Sequence, residues 1–288
     1  DTYQIAEGAA SAGISRNSLQ VLADTGKNLT VSDSRMALTF DTATLKSILS
    51  ATADASDGTV TFSVTSADVS RFADAKALIG SRPVLDFTII YQKNGQTVTA
   101  PVDLGSGKVS VAIKYQPAST EATGGLYAAY VDKDGNTVLL DNSSYDRNRN
   151  EVIFSTNHFS IYGVAYKAPA PAFNDTANHW AKDDIDFAAA RGLLSGTGNN
   201  QFSPDSAITQ GMFVTVLGRL TGINPAGMGD KRFTPDAPMT REQMAVIMAE
   251  YAGQMGYSIP APLTVAEFTD SSRISEWAVK EVRAMQQA

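Results

Sequence analysis

The sequence contains no cysteine, which excludes disulfides, thiolate metal sites and cysteine nucleophiles. Histidine is nearly as scarce. His158 and His179 are the only two, far apart in the chain, so a histidine-rich metal centre is not expected, and neither is any other metal or cofactor. There is no run of Lys or Arg, and the formal net charge is -7. Nucleic-acid binding calls for basic patches, so nucleic acid is not expected as a partner. No apolar run is long enough to cross a bilayer. No Ser/His/Asp set, paired-carboxylate signature, Walker loop or dinucleotide fingerprint stands out. Ser195-Gly196-Thr197-Gly198 follows a helical pattern instead of joining a strand to a helix, so it is not a phosphate loop. Asp132-Lys133-Asp134-Gly135-Asn136 opens like a calcium loop but lacks the distal glutamate, and a hairpin turn is expected.

What is present divides into two kinds of pattern. The 288 residues suffice for about two domains. The chain opens at Asp1, and a processed or excised piece of a longer protein is expected. Asp1 to about Gly13 is small and polar and reads as the tail of an upstream segment. Ile14, Leu19, Val21 and Leu22 suggest a short helix ending near Gly26, followed by strands at 28–31 and 36–40. Asp41 is positioned to cap a helix containing Leu45, Ile48 and Leu49. From Gly58 the apolar period becomes two: Val60, Phe62 and Val64, then 84–91, then Val109, Val111 and Ile113. Asn94-Gly95 is a strong hairpin signal. Strands at 126–131, 137–140, 152–154 and 159–166 complete the set. Many short strands with regular turn signals predict a β-sandwich over 1–167. Lys167 is followed by a Pro/Ala linker at 168–172, expected to be a semi-rigid spacer and the domain boundary.

The remainder, 173–288, has helical period. Phe173-Asn174-Asp175 precedes Trp180, Ile185, Ala188 and Ala189 at spacings near three and four, with Gly192 placed to end the helix. A Gly/Asn loop leads to Phe202 and Pro204. Thr209 then reads as the N-cap of a second helix carrying Met212, Phe213, Val216, Leu217 and Leu220. This order, F-x-D, W-A, I-x-x-A-x-x-x-G-L, S-G-T-G, F-x-P and I-T, resembles the S-layer homology repeat. Phe233-Thr234-Pro235 and Met239-Thr240-Arg241-Glu242-Gln243-Met244 match its second half, on a helix expected to bury Met244, Ile247, Met248 and Tyr251. Phe268-Thr269-Asp270 with Trp277-Ala278 opens a further copy. The reading is a full repeat at 173–220, a shortened one at 221–262 with residues lost between Thr221 and Phe233, and a truncated one at 263–288. The fold class is therefore α+β and multi-domain, a mainly-β sandwich followed by an all-α helical-hairpin region. Repeats without complete neighbours should leave apolar surface exposed.

The resemblance implies a non-catalytic surface protein of a Gram-positive bacterium, located extracellularly at the cell wall or S-layer. In the family, three repeats form a bundle whose grooves hold an acidic secondary cell-wall polysaccharide, typically pyruvylated, and an arginine meets the acid. Here that residue is Arg241, with Thr240 as helix cap and Glu242 to orient the guanidinium. Arginine suits the task because its fork pairs two carboxylate oxygens. Gln210 occupies the arginine position of the first repeat and brings no charge. Trp180 and Trp277 stand at the tryptophan position, where core anchoring is favoured over sugar stacking. Asp175 and Asp270 read as N-caps. The segment before the repeats resembles the β module that often precedes them in surface proteins. Two alternatives remain. The β region would be a carbohydrate-binding accessory of a secreted enzyme if Tyr127, Tyr130 and Tyr145 formed an exposed row. It would be a self-cleaving module if His158 assisted Ser160 in attacking the preceding carbonyl of Phe159.

Overall fold

The computed structural model describes residues 1–5, 10–101, 104, 105, 107–221, 235–254, 264 and 266–287. The strands are β1 (Thr2–Gln4), β2 (Ser11–Ser15), β3 (Leu29–Ser32), β4 (Met36–Phe40), β5 (Thr59–Ser66), β6 (Val84–Lys93), β7 (Gln96–Thr99), β8 (Val109–Lys114), β9 (Leu126–Val131), β10 (Thr137–Leu140), β11 (Ser144–Asp146), β12 (Glu151–Thr156) and β13 (Ile161–Tyr166). The helices are α1 (Arg16–Asp24), α2 (Thr42–Ala51), α3 (Ala73–Leu78), α4 (Lys182–Ala190), α5 (Gln210–Thr221), α6 (Arg241–Gln254) and α7 (Val279–Gln287). The chain is thus α+β, with a β-rich N-terminal region and helices later. It divides into two compact units, Asp1–Phe202 and Ser203–Ala288.

In the first unit one sheet runs β1-β3-β4-β8-β12-β11 and the other β10-β9-β13-β6-β5-β2, with β7 also on β6. The parallel pair is β1 with β3; the other described pairings are antiparallel. Alternation explains the packing. Val60, Phe62 and Val64 point inward with Phe87 and Ile89, and share one core with Phe40, Val111, Ile113 and Phe154 of the other sheet. Leu19 and Leu22 of α1 and Leu45 and Ile48 of α2 enter the same core. Asp41 caps α2 as expected, accepting from Thr44 N at 2.7 Å. Asn94 and Gly95 take φ of 52° and 77° at the β6–β7 turn, the left-handed pair that a two-residue hairpin requires. Asp132 stabilises its hairpin turn by accepting from the amides of Asp134 and Asn136.

The N-terminal stretch, expected to be a tail, contains two strands: β1 pairs with β3 and β2 with β5. In β9 both faces are buried. Leu126 and Ala128 face the shared core, while Tyr127, Ala129 and Val131 pack under Val69, Ala75 and Ile79 of the segment that includes α3. The compact units divide between Phe202 and Ser203. Arg191, at the C-cap of α4, reaches back to donate to the carbonyls of Gly124, Leu126 and Ser143 at 3.0, 2.9 and 2.9 Å. Its guanidinium lies 3.9 Å from the centre of the Tyr127 ring and 4.0 Å from that of Phe187. A Cβ on Gly124 would stand 2.6 Å from Phe187 N, so only glycine admits α4 this closely. The first helix of the repeat is therefore packed on the β region.

Candidate functional site

The hairpin of α4 is closed by Phe173, Ile185 and Ala189, with Phe202 packed against them, the two phenyl rings 5.2 Å apart. Asp175 is not the cap of α4, which begins at Lys182 after Ala181. Its carboxylate instead accepts from Phe202 N at 2.9 and 3.2 Å, tying the F-x-D turn to the F-x-P turn. Trp180 is 87% exposed and Trp277 56%; the core role expected for both is overturned. Trp180 contacts His179.

In the second unit, α5 and α6 start alike. Thr209 accepts from Met212 N at 3.2 Å. Thr240 accepts from Gln243 N at 3.3 Å, while Gln243 Oε1 accepts from Thr240 N at 3.0 Å. The latter is a reciprocal capping box. Gln210 and Arg241 are the first residues of the two helices. Backbone bonds from Gln210 N to Ala237 O and from Gly211 N to Pro235 O, both near 3 Å, dock the segment before α6 onto the start of α5.

Two grooves result. The first, about 360 Å³, is bounded by Arg241, Glu242 and Asp270, with a floor of Met244, Met248, Phe268, Ile274, Val282 and Met285 from α6, α7 and the segment preceding α7. Arg241 is exposed, and among the described residues its side chain has neither a hydrogen bond nor an ion pair. Glu242 does not hold it. Its carboxylate accepts instead from Ser275 N at 2.9 Å and Ser275 Oγ at 3.2 Å. Asp270 precedes the 3-10 turn Ser271–Arg273 without a side-chain cap bond. The second groove, about 250 Å³, is lined by Gln210, Val214, Met239, Gln243, Val246, Ile247 and Trp277. The structure thus places Arg241 with Glu242 in one groove and Gln210 with Trp277 in the other. Thr240 caps the start of α6 without lining either groove, and Trp180 lies in the first unit. Gln243 was missed, although the Thr240-x-x-Gln243 spacing carried the signal. The expected burial on α6 fails: Met244, Ile247 and Tyr251 are half-buried, and Met248 is 40% exposed. Met248, Phe268 and Trp277 are exposed. The expected loss between Thr221 and Phe233 falls on residues outside the described ones.

In the β region, the His158 ring is engaged by its neighbours. Nδ1 lies 3.3 Å from both Thr156 Oγ1 and Asn157 Oδ1, and Nε2 lies 3.1 Å from Tyr162 Oη. Burial lowers the pKa of His158 and pushes that of Tyr162 up to about 12. No hydrogen bond joins His158 to Ser160, whose carbonyl accepts from Phe87 N at 3.1 Å. The three tyrosines form no exposed row. Tyr127 is buried and donates to Ala190 O, Tyr130 packs against His158, and half-buried Tyr145 bonds Asn150. Among the described residues no helix is long and apolar enough to cross a membrane.

Residues 172–211 and 226–245 match the S-layer homology domain family. Over 140 residues the chain is 26% identical to an amylopullulanase of Thermoanaerobacterium thermosulfurigenes, covering 49% of this chain and 7% of that protein. The chain therefore spans a small fraction of that relative's length. No solved structure matches the chain significantly. Within residues 172–245 the chain carries an S-layer homology domain.

Proposed function

We propose that this chain is a non-catalytic part of a cell-surface protein, held noncovalently to the acidic secondary polysaccharide of a Gram-positive cell wall. The observation that carries the reading is Arg241: an exposed cation at the rim of a groove, with no protein partner among the described residues and an apolar floor beneath it. A carboxylate on a sugar, such as a pyruvyl ketal, offers the two oxygens a guanidinium fork accepts, and the floor takes the apolar face of the ring. Trp180 is a further exposed aromatic surface on the first unit. The β region, read as a two-layer sandwich, is the spacer or adhesion module. The test is cosedimentation of the chain with wall sacculi, native or chemically stripped of polysaccharide. Pelleting is expected with native sacculi alone and should weaken with salt, since an exposed charge contact is screened. Equal pelleting with stripped sacculi would remove the proposal.

A second reading is favoured by the match to the amylopullulanase: the chain is an accessory part of a larger secreted enzyme, although the β region shows no exposed tyrosine row to bind carbohydrate. It is separated by exposing the chain to insoluble starch. Retention that survives Arg241→Ala would support the accessory role.

A further inference from the structure

We propose that the turn opened by Phe268 and Asp270 is a docking half-site for the Phe233-Thr234-Pro235 segment of a second copy of this chain, so that two copies pair by exchanging turns. The inference goes beyond wall anchoring and rests on a contact that the chain makes once within itself. In the first repeat the Phe173 ring is 8% exposed and packs on that of Phe202, 5.2 Å between centres, in a cluster with Ile185. The Asp175 carboxylate accepts from Phe202 N at 2.9 and 3.2 Å. A Phe-x-Asp turn thus receives a Phe-x-Pro turn through one ring pair and one charge-assisted hydrogen bond.

The receiving half occurs a second time. Phe268-Thr269-Asp270-Ser271 has the pattern of Phe173-Asn174-Asp175-Thr176. In each, the hydroxyl donates to the phenylalanine carbonyl, at 3.2 Å from Thr176 and 2.8 Å from Ser271. Val282 corresponds to Ile185, each five residues after a tryptophan. Here the receiving groups are unmatched. Phe268 is 40% exposed, beside a pocket of about 80 Å³ walled by Ile274, Val279 and Val282. The Asp270 carboxylate makes no cap bond in its turn and has no other partner among the described residues.

The sequence holds two Phe-x-Pro segments. Phe202-Ser203-Pro204 is engaged by Phe173 and Asp175, which leaves Phe233-Thr234-Pro235. Within one chain that segment is held on the wrong side of α6. Pro235 O accepts from Gly211 N at 2.9 Å, at the start of α5. The α6 face turned to α5 carries Gln243, Val246 and Ile247, whereas Phe268 lies with the opposite face, that of Arg241, Met244 and Met248. Two residues of chain span at most about 7 Å, less than the ~10–12 Å across a helix. A second copy is therefore the source. Each copy has one turn to give and one half-site to fill, so the contact is reciprocal and closes as a two-fold pair.

The experiment is sedimentation velocity of the full chain over a range of concentrations, without wall material, so its failure is distinct from failure of wall anchoring. A monomer–dimer equilibrium is expected. Phe233→Ala, Phe268→Ala and Asp270→Ala should each weaken it by about tenfold or more. Thermal unfolding checks that each variant keeps the fold. Asp270→Ala, which removes an exposed carboxylate, carries the test if either phenylalanine proves necessary for folding. Mixing Phe233→Ala with Phe268→Ala restores one of the two contacts, and the mixture should associate more tightly than either variant alone. The inference is overturned if the chain is monomeric throughout, if the dimer is indifferent to all three substitutions, or if the mixture associates no better than its components.

Discussion

Gln210 and Arg241 occupy the same place in two helices, each one residue after a threonine cap, and they differ chiefly by one charge. Gln210→Arg should therefore gain affinity for acidic wall polymer, by at most the ~1.5–3 kcal/mol of a charge-assisted hydrogen bond. Pelleting titrations would measure it, and an unchanged affinity would deny that the second groove is accessible to the polymer. Tyr162 carries a different test. Its hydroxyl lies 2.6 Å from Thr156 Oγ1, and burial raises its pKa from an ordinary 10.0 to about 12. The native state then keeps a proton that the unfolded chain loses first. Its contribution to stability is full below pH 10 and declines as pH rises towards 12. Absorbance titration of tyrosinate should show a late-titrating group that Tyr162→Phe lacks; identical titration curves would contradict the burial.

Among the elements, those set by short-range rules were legible. Period two placed β5, β6 and β8, Asp41 placed the start of α2, and Asn94-Gly95 placed a turn. Elements dependent on partners were not. β1 is short and exposed throughout, β2 is exposed along one face, and they exist because β3 and β5 offer edges. The apolar residues of α6 have helical spacing, yet burial needs a neighbouring repeat, which spacing cannot supply. Gly192 marked the end of α4, but no local pattern shows that the Arg191 side chain binds three carbonyls of the β region between two rings. Arg191→Ala would orphan those acceptors, at about 1–3 kcal/mol each when buried. A loss of about 3 kcal/mol or more is expected in chemical denaturation of the first unit. Gly124→Ala should destabilise the same contact. If Arg191→Ala were within about 0.5 kcal/mol of the parent, as for an ordinary surface change, α4 would not be fastened in this way.

At the scale of the whole chain, two compact units meet at Phe202–Ser203. Calorimetry should resolve two transitions, and Arg191→Ala should lower only that of Asp1–Phe202. A single transition, displaced as a whole, would contradict the division. The division also places the grooves of Arg241 and Trp277 in one unit and Trp180 in the other, so wall binding should survive changes that destabilise the β region alone. The central claim is that the charge and fork of Arg241 hold the wall polymer. It is tested most directly by the affinity of the full chain for native sacculi with Arg, Lys or Ala at position 241. The expected order is Arg, then Lys, which keeps the charge without the bidentate geometry, then Ala, with differences that shrink at high salt. Equal affinity for Arg241→Ala and the parent chain would contradict it.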